Sequence, residues 1–181
     1  MQQLWDEGNP FAWHLHLESK LIFASDGSDA IQLLGRPASY VKCSEDCDKF
    51  RALFRESSQS VLAQSGSTVF DLSAIFLSIR NFATCFSLGV LGRPNFSRSA
   101  ALTLGKDSIR ISTSSYRIFE RARILCTRGE GPVLAKEEVT AATEKLVEIQ
   151  IWMDNLMNEV SKNGRIQRSN VSTTVNSASR K

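Results

Sequence analysis

The sequence predicts a mainly α-helical protein, an antiparallel bundle of four to five helices preceded by a short β element. Four substantial segments carry apolar residues at a helical period, and each of them ends at a glycine. With 181 residues, the chain is long enough to bury one core of ordinary size without a disulfide scaffold.

The β element is predicted near the N-terminus. Apolar and polar residues alternate over residues 13–17, which is the period of a strand, and Asp26-Gly27 marks a turn. We therefore expect a short strand pair. The stretch DAIQLLGRP follows and predicts one or two helical turns, which stop at Gly35 and Pro37.

Two long helices are predicted next. The first begins near residue 46, has its apolar residues near one face and ends at Gly66. The second takes Ser67 or Thr68 as its N-cap and keeps an apolar helical period as far as Gly92. An irregular loop then leads towards the third helix.

The third helix is predicted to start at Ser114 or Ser115 and to end at Gly129. The fourth has apolar residues at helical spacing from residue 139 to 156 and stops at Gly164. Beyond it, Ser, Thr, Asn and Arg dominate, so this segment should be disordered. The resulting division is a β-containing segment over residues 1–37, a helical bundle over 38–160 and a disordered basic tail over 161–181.

The positive charge is unevenly distributed. The formal charge is +3, but residues 161–181 hold five basic residues and no acidic one, so residues 1–160 carry −2. Between residues 93 and 128, eight basic residues face only two acidic ones. This excess either converges on one face and attracts phosphate, or it forms a solvated helix face. The residues predicted to contact RNA are Arg93, Arg98, Arg117 and Arg121.

Motifs of well-known chemistry are few. The sequence has no Ser/His/Asp arrangement, no GxGxxG and no GxxxxGK[ST]. His14 and His16 would share one face of the predicted strand, and Cys43 and Cys47 lie four residues apart. Neither pair has the further ligands that a zinc site needs. We therefore predict no metal and no cofactor.

The cysteine usage and the hydropathy pattern predict a cytoplasmic protein. Four cysteines, no charged and then apolar leader, and no apolar run near 18 residues indicate a reduced protein without a membrane association. The sequence does not say whether Met1 is the native start.

The stretch RNFATC, within the second long helix, has the most distinctive chemistry. On an ideal helix, Arg80 and Cys85 diverge by about 140°, while Asn81 and Cys85 are neighbours on one face. A site that uses Arg80 together with Cys85 would therefore need a distorted turn or a second protomer. Alternatively, Arg80 is simply a surface or ion-pair arginine.

The stretches FLSIRNFATCFSLG (76–89) and GRPNFSRSAALTLG (92–105), with the helical pattern around them, resemble the HEPN domain superfamily. These domains are helical partners of minimal nucleotidyltransferases in bacterial and archaeal toxin–antitoxin and defence modules. The stretch LWDEGNPFAWHLHLESKLIFASDG looks like the closing strands of such a nucleotidyltransferase domain. The resemblance covers roughly residues 5 to 160 and implies a homodimer or a complex with a nucleotidyltransferase protein.

The resemblance also implies a ribonuclease motif, which is degenerate here. Active HEPN ribonucleases carry an arginine, a polar residue and, a few positions later, a histidine, usually assembled across a dimer. Arg80 and Asn81 match the first two, but Cys85 stands where the histidine is expected and Ser87 where one branch has tyrosine. A free thiol is mostly neutral at pH 7, whereas imidazole can act there as acid or base. We therefore expect weak ribonuclease activity or none.

The nucleotidyltransferase motif is incomplete. In that family a Gly-Ser pair is followed shortly by Asp-x-Asp, whereas Gly27-Ser28 is followed much too late by Asp46-Cys47-Asp48. We therefore predict no nucleotidyl transfer by this chain alone.

The resulting hypothesis is a HEPN-like binding or assembly module, associated with a nucleotidyltransferase in a toxin–antitoxin or defence system. It would dimerise or dock through the face of Arg80, Asn81 and Cys85. One alternative is an active, metal-independent ribonuclease toxin that uses Cys85 in place of histidine. Another is the substrate-binding domain of a nucleotidyltransferase encoded elsewhere.

Overall fold

The computed structural model describes residues 1–25 and 27–178, with side chains as far as residue 162. Most of these residues are helical, which confirms the prediction of a mainly α-helical protein, but the predicted β element is absent because no strand occurs among them. Two short 3-10 turns, Ala100–Leu102 and Gly105–Asp107, follow the fifth helix. The helices are α1 (Gln2–Asp6), α2 (Pro10–Glu18), α3 (Ala30–Leu34), α4 (Cys43–Ala63), α5 (Thr68–Gly89), α6 (Thr113–Arg128), α7 (Lys136–Thr143) and α8 (Leu146–Ala178).

Helix α5 lies at the centre of the bundle. Ser67 caps its N-terminus, as predicted, by accepting a hydrogen bond from Phe70 N at 3.5 Å. Helices α4, α6 and α8 all contact α5, so its buried residues occupy more than one face. Ile75, Ile79 and Phe82 are fully buried there. Burial of side chains of this size stabilises the fold by about 1.5–3 kcal/mol each.

In the described part of the chain, α5 is the helix long and apolar enough to span a membrane, with a mean hydropathy of 1.4. However, 67% of its apolar stretch is buried inside the protein. A helix surrounded by other helices is apolar on most sides for that reason. Arg80, Asn81 and several serines interrupt it, so the sequence does not contain an uninterrupted apolar run.

Helix α8 packs against α4 and α5. Arg51 and Arg55 of α4 both donate to Asp154 Oδ1 of α8, at 3.1 and 3.0 Å. Inside the bundle, the rings of Phe82 and Trp152 lie with their centroids 5.5 Å apart. Because four residues join α4 to α5, these two helices form a hairpin, and α8 is held against both of them.

The predicted strand pair is wrong, because residues 10–18 form helix α2. Asn9 caps this helix by accepting a hydrogen bond from Phe11 N at 2.9 Å. Pro10 takes the first helical position, where its fixed φ favours a helix. This Asn-Pro start signal outweighs five residues of alternation. The described part of residues 1–37 is therefore helical or loop, while Asp26 of the predicted turn lies outside the described residues.

Two tryptophans attach the N-terminal helices to the chain that follows α3. The indole N–H of Trp5 donates to Gly35 O at 2.9 Å, and that of Trp13 donates to Ala38 O at 3.0 Å. These bonds fix α2 beside the bundle, where it contacts α5.

The predicted fourth helix consists of two, α7 and α8, which are separated at Glu144 and Lys145. Helix α8 extends over Leu146–Ala178, whereas the sequence predicts a stop at Gly164. The predicted disordered tail falls largely on residues whose side chains lie outside the description, and residues 179–181 lie outside it entirely. The tail and the domain boundaries therefore stay predictions.

Candidate functional site

The three residues of the predicted motif line one cavity within a single chain. Arg80 and Asn81 are half-buried, whereas Cys85 is only 3% exposed. All three contribute to the wall of a cavity of about 330 Å³. A second protomer is therefore not required to bring them to the same site.

The rest of the cavity wall is aromatic and polar. It comes from the start of α2, from the first turns of α4 and from the loop after α5. Lys49 adds a second positive charge to that of Arg80, opposed by Asp46. Aromatic walls with positive charges suit a planar, negatively charged ligand. The lining residues from outside α5 are Asn9, Pro10, Phe11, His14, Asp46, Lys49, Phe50 and Phe96.

Arg80 is held in place but keeps one donor free of a partner. Its Nη2 donates to Phe96 O at 2.6 Å, and its Nη1 donates to Asn81 Oδ1 at 3.3 Å. Its Nε is buried and has no hydrogen-bond partner among the described residues. Burial lowers the pKa of the Arg80 guanidinium from its ordinary value, yet arginine stays protonated in proteins. A fixed positive charge thus lies at the cavity wall.

Arg80 also belongs to a stripe on α5 that anchors the following loop. Thr84 Oγ1 donates to Asn95 O at 3.0 Å, and Ser87 Oγ accepts from Asn95 N at 3.0 Å. With the bond from Arg80 to Phe96 O, residues i, i+4 and i+7 of one helix face hold the loop. The stretches RNFATCFS and RPNF are therefore in contact in the fold.

An imidazole from α2 lies in the same cavity. His14 stacks on Phe96, with ring centroids 4.8 Å apart and planes at 17°. Its Nε2 lies 3.1 Å from Glu18 Oε2, one helical turn further along α2. A carboxylate beside an imidazole orients the ring. The site thus combines Arg80 and Asn81, which were predicted, with a histidine that was not predicted.

The two histidines have different surroundings because residues 10–18 are helical. Positions two apart on a helix diverge by about 200°, whereas on a strand they share a face. His16 accordingly lies outside the cavity lining and meets Trp13 edge-on, with ring centroids 6.0 Å apart. The Asn-Pro helix start was the signal that could have separated His14 from His16.

Cys85 has the wrong environment for a general base. Burial raises the pKa of its thiol to about 12, and the neighbouring Tyr40 hydroxyl offsets only part of this effect. Its backbone carbonyl accepts a hydrogen bond from Cys43 Sγ at 3.5 Å. At neutral pH the thiol is therefore neutral, and Cys85 acts as a wall residue of the cavity.

Arg80 also lines a second opening, which is strongly basic. We call it the basic groove and define it by Arg80, Arg98, Arg123 and Arg128, with Glu120 as its acidic residue. Its volume is about 310 Å³. Arg98 Nη1 lies 3.9 Å from Glu120 Oε1, which leaves a clear excess of positive charge. Such an excess along a groove attracts polyanions.

Only one of the four arginines predicted to contact RNA lies in the basic groove, namely Arg98. Arg93 lies in the loop after α5 and lines a different hollow. Arg117 is exposed on α6 but does not line the groove. Arg121 forms an ion pair with Glu138, which joins α6 to α7. The structure thus places Arg123 and Arg128 beside Arg98 in the basic groove. These two arginines were not among the residues predicted to contact RNA.

The cysteines and histidines do not form a metal cluster in the described part of the chain. No group of three or more His, Cys, Asp or Glu side chains there could hold a metal ion. All four cysteines are free thiols, and Cys126 is the exposed one.

Comparison with known proteins adds no assignment to this geometry. The chain matches no protein-family model, no curated protein and no solved structure. Its function has to be inferred from the site itself: Arg80 between an aromatic cavity and a basic groove.

Proposed function

We propose that this chain is a HEPN-like helical module that binds RNA at Arg80. The observation that carries the proposal is that Arg80 lines both the aromatic cavity and the basic groove. A phosphate bound by Arg80 would have its base in the cavity and its neighbouring phosphates along the groove. Single-stranded RNA is recognised in this way, by stacking of unpaired bases combined with positive charge along the backbone.

The guanidinium of Arg80 supports an anionic ligand. Its Nε is a buried donor without a partner among the described residues, and its burial disfavours the charged form. A phosphate oxygen would supply both the missing acceptor and the opposing charge. Asn81, which already accepts from Arg80, would keep its amide N–H₂ for the ligand.

The cavity wall supports a base beside that phosphate. Phe11, Phe50 and Phe96 are three aromatic side chains around a volume of about 330 Å³. Stacking of a base on an aromatic ring contributes about 1–3 kcal/mol and depends little on base identity. We therefore expect binding with little sequence preference.

The test is fluorescence anisotropy with a labelled pool of random-sequence RNA, in EDTA. Arg98→Ala and Arg123→Ala should each weaken binding severalfold and flatten its salt dependence, because each removes a phosphate contact. Arg110→Ala is the matched control, since Arg110 belongs to the same basic stretch but lies in another hollow. Equal weakening by all three variants would mean that only overall charge matters, and would contradict the proposal.

The dimensions of the cavity favour a second candidate, the substrate-binding domain of a nucleotidyltransferase. Small-molecule sites have volumes of about 300–1,000 Å³, a range that includes this cavity. A nucleotide or another small phosphorylated substrate would use Arg80 but not the whole groove. Binding of a nucleoside monophosphate that is lost in Arg80→Met and unchanged in Arg123→Ala would favour this candidate over RNA.

The partner and the biological setting rest on the resemblance. The proposed partner is a nucleotidyltransferase protein or a second copy of this chain, in a toxin–antitoxin or defence system. Ile22 and Phe23, exposed at 97% and 82%, offer apolar surface for such a contact. Light scattering of the purified chain, alone and with a co-expressed nucleotidyltransferase, tests it. A strict monomer that binds no such partner would contradict the association.

A further inference from the structure

We propose that Cys43 and Cys47 form a thiol oxidation site, at which a hydroperoxide oxidises Cys43 and Cys47 then closes a disulfide with it. The site lies at the start of α4, and neither cysteine lines the cavity of Arg80. The inference is therefore independent of the proposed binding of RNA.

The two thiols lie one helical turn apart at the N-terminal end of a long helix. Cys43 is the first residue of α4, a helix of 21 residues, and Cys47 follows on the same face. Cys43 is partly exposed, so a small hydroperoxide can reach its sulfur, whereas Cys47 is fully buried. An accessible thiol with a second, protected thiol beside it is the arrangement of redox-sensing cysteines.

Cys43 is the more nucleophilic of the two thiols. A hydrogen bond from the Cys47 thiol lowers the pKa of Cys43 from its ordinary value, although burial and Asp46 oppose this effect. The same contact raises the pKa of Cys47, which stays protonated as the donor. The positive end of the helix also favours a thiolate at the position of Cys43. Cys85 O, which accepts from Cys43 Sγ at 3.5 Å, instead favours the thiol, so the thiolate forms when this hydrogen bond opens.

The reaction has two steps, and its oxidant is the hydroperoxide. In the first step, the thiolate of Cys43 bonds to the outer oxygen of the peroxide, and the O–O bond breaks. The hydroxide or alkoxide that leaves takes a proton from water, and Cys43 becomes a sulfenic acid. In the second step, the sulfur of Cys47 attacks that of Cys43, and hydroxide leaves as water with the proton of Cys47. Two thiols are thus oxidised by two electrons, and one peroxide is reduced.

Closure of the disulfide requires the first turn of α4 to change. Side chains one turn apart on a helix have Cβ atoms about 5–6 Å apart, whereas a disulfide needs about 3.5–4.5 Å. The N-cap residue Lys42 makes no side-chain cap hydrogen bond, so this turn lacks a usual restraint. Cys43 is also a contact to α5, since it donates to Cys85 O and lies directly against Gly89. Oxidation should therefore release the start of α4 from α5.

The experiment treats the folded Cys126→Ser chain with a stoichiometric amount of hydrogen peroxide and then counts thiols in urea. This chain has three thiols, of which two should be lost and then regained with dithiothreitol. Trypsin releases residues 43–49 as one peptide that contains both cysteines. The disulfide should appear in its mass as a loss of two hydrogen atoms, while the peptide of residues 81–98 keeps the thiol of Cys85.

Cys47→Ser separates the two steps. Serine keeps a hydrogen-bond donor but cannot form a disulfide, so the sulfenic acid of Cys43 should persist and react with dimedone. Cys126, which is more exposed, is the matched control within the same chain. Cys43 should be labelled faster than Cys126 in the folded chain and should lose this advantage in urea. The thiol count in Cys126→Ser remains a test if Cys47→Ser unfolds.

Three results would overturn the inference. The first is a folded chain that keeps all its thiols in peroxide. The second is a disulfide that joins residues 43–49 to residues 81–98, because Cys85 would then be the second thiol. The third is labelling of Cys43 in Cys47→Ser that is no faster than labelling of Cys126. None of these results affects RNA binding by the reduced chain, so the proposed function is tested separately.

Discussion

Arg80→Met separates the structural role of Arg80 from its proposed role in binding. The hydrogen bond from its Nη2 to Phe96 O joins a charged donor to a carbonyl at 2.6 Å and should stabilise the fold by about 1.5–3 kcal/mol. Its buried Nε has no partner among the described residues, which should cost about 1–3 kcal/mol. Methionine removes both effects and fills similar space. We therefore expect the free energy of unfolding to change by no more than about 2 kcal/mol.

RNA affinity should respond much more strongly. Loss of a charge-assisted contact to phosphate, about 1.5–3 kcal/mol, weakens binding about 10- to 150-fold. Urea denaturation measures the first quantity and fluorescence anisotropy the second, with Arg110→Met as the control. If Arg80→Met lowered the free energy of unfolding by more than about 3 kcal/mol and left RNA affinity within about twofold, Arg80 would be structural and the reasoning refuted.

Other predictions concern the bundle and its thiols. Arg121→Ala should lower the unfolding temperature without changing RNA affinity, because Arg121 joins α6 to α7 through Glu138. An unchanged unfolding temperature with weakened RNA binding would instead mean that Arg121 contacts RNA. A backbone N–H and then Arg121 hold the pKa of Glu138 below its ordinary value. The stability that the Glu138 carboxylate contributes is therefore present above the ordinary glutamate pKa and is lost as pH falls through the lowered pKa. Calorimetry should find that the unfolding temperatures of the native chain and of Glu138→Gln converge in acid. Iodoacetamide at about pH 8 should alkylate the exposed Cys126 and spare Cys85, whose pKa is about 12; equal labelling by peptide mass spectrometry would contradict its burial. Phe82→Ala should lower the free energy of unfolding by about 3–5 kcal/mol in urea, and a loss below about 1 kcal/mol would be incompatible with its packing.

The long helices could be predicted because their signals are local. Ser67 caps α5 as predicted, and Gly129 ends α6 with φ of 66°, a left-handed conformation that glycine adopts without strain. Helix α2 was missed because the alternation over residues 13–17 is too short to distinguish a strand from a helix. The stronger local signal was Asn9 followed by Pro10.

The candidate site was only partly predictable. Arg80, Asn81 and Cys85 line one cavity within a single chain, although the helical period predicts that Arg80 and Cys85 point in different directions. His14 lies more than sixty residues away, and only the packing of α2 against α5 brings it there. The arginines of α6 illustrate the same limit. Arg121 and Arg123 differ by two positions, about 200° around the helix, and the side on which α7 packs decides which one remains in the groove.

The central claim is that the Nε–H of Arg80 receives a phosphate of bound RNA. The most direct measurement is an NMR spectrum of arginine Nε–H groups in the ¹⁵N-labelled chain, titrated with RNA in EDTA, with the Arg80 signal assigned by its absence in Arg80→Met. Our account predicts that this signal shifts on addition of RNA, together with signals of the basic groove, while that of Arg110 does not. An Arg80 signal that stays in place when RNA binding is saturated would contradict the account.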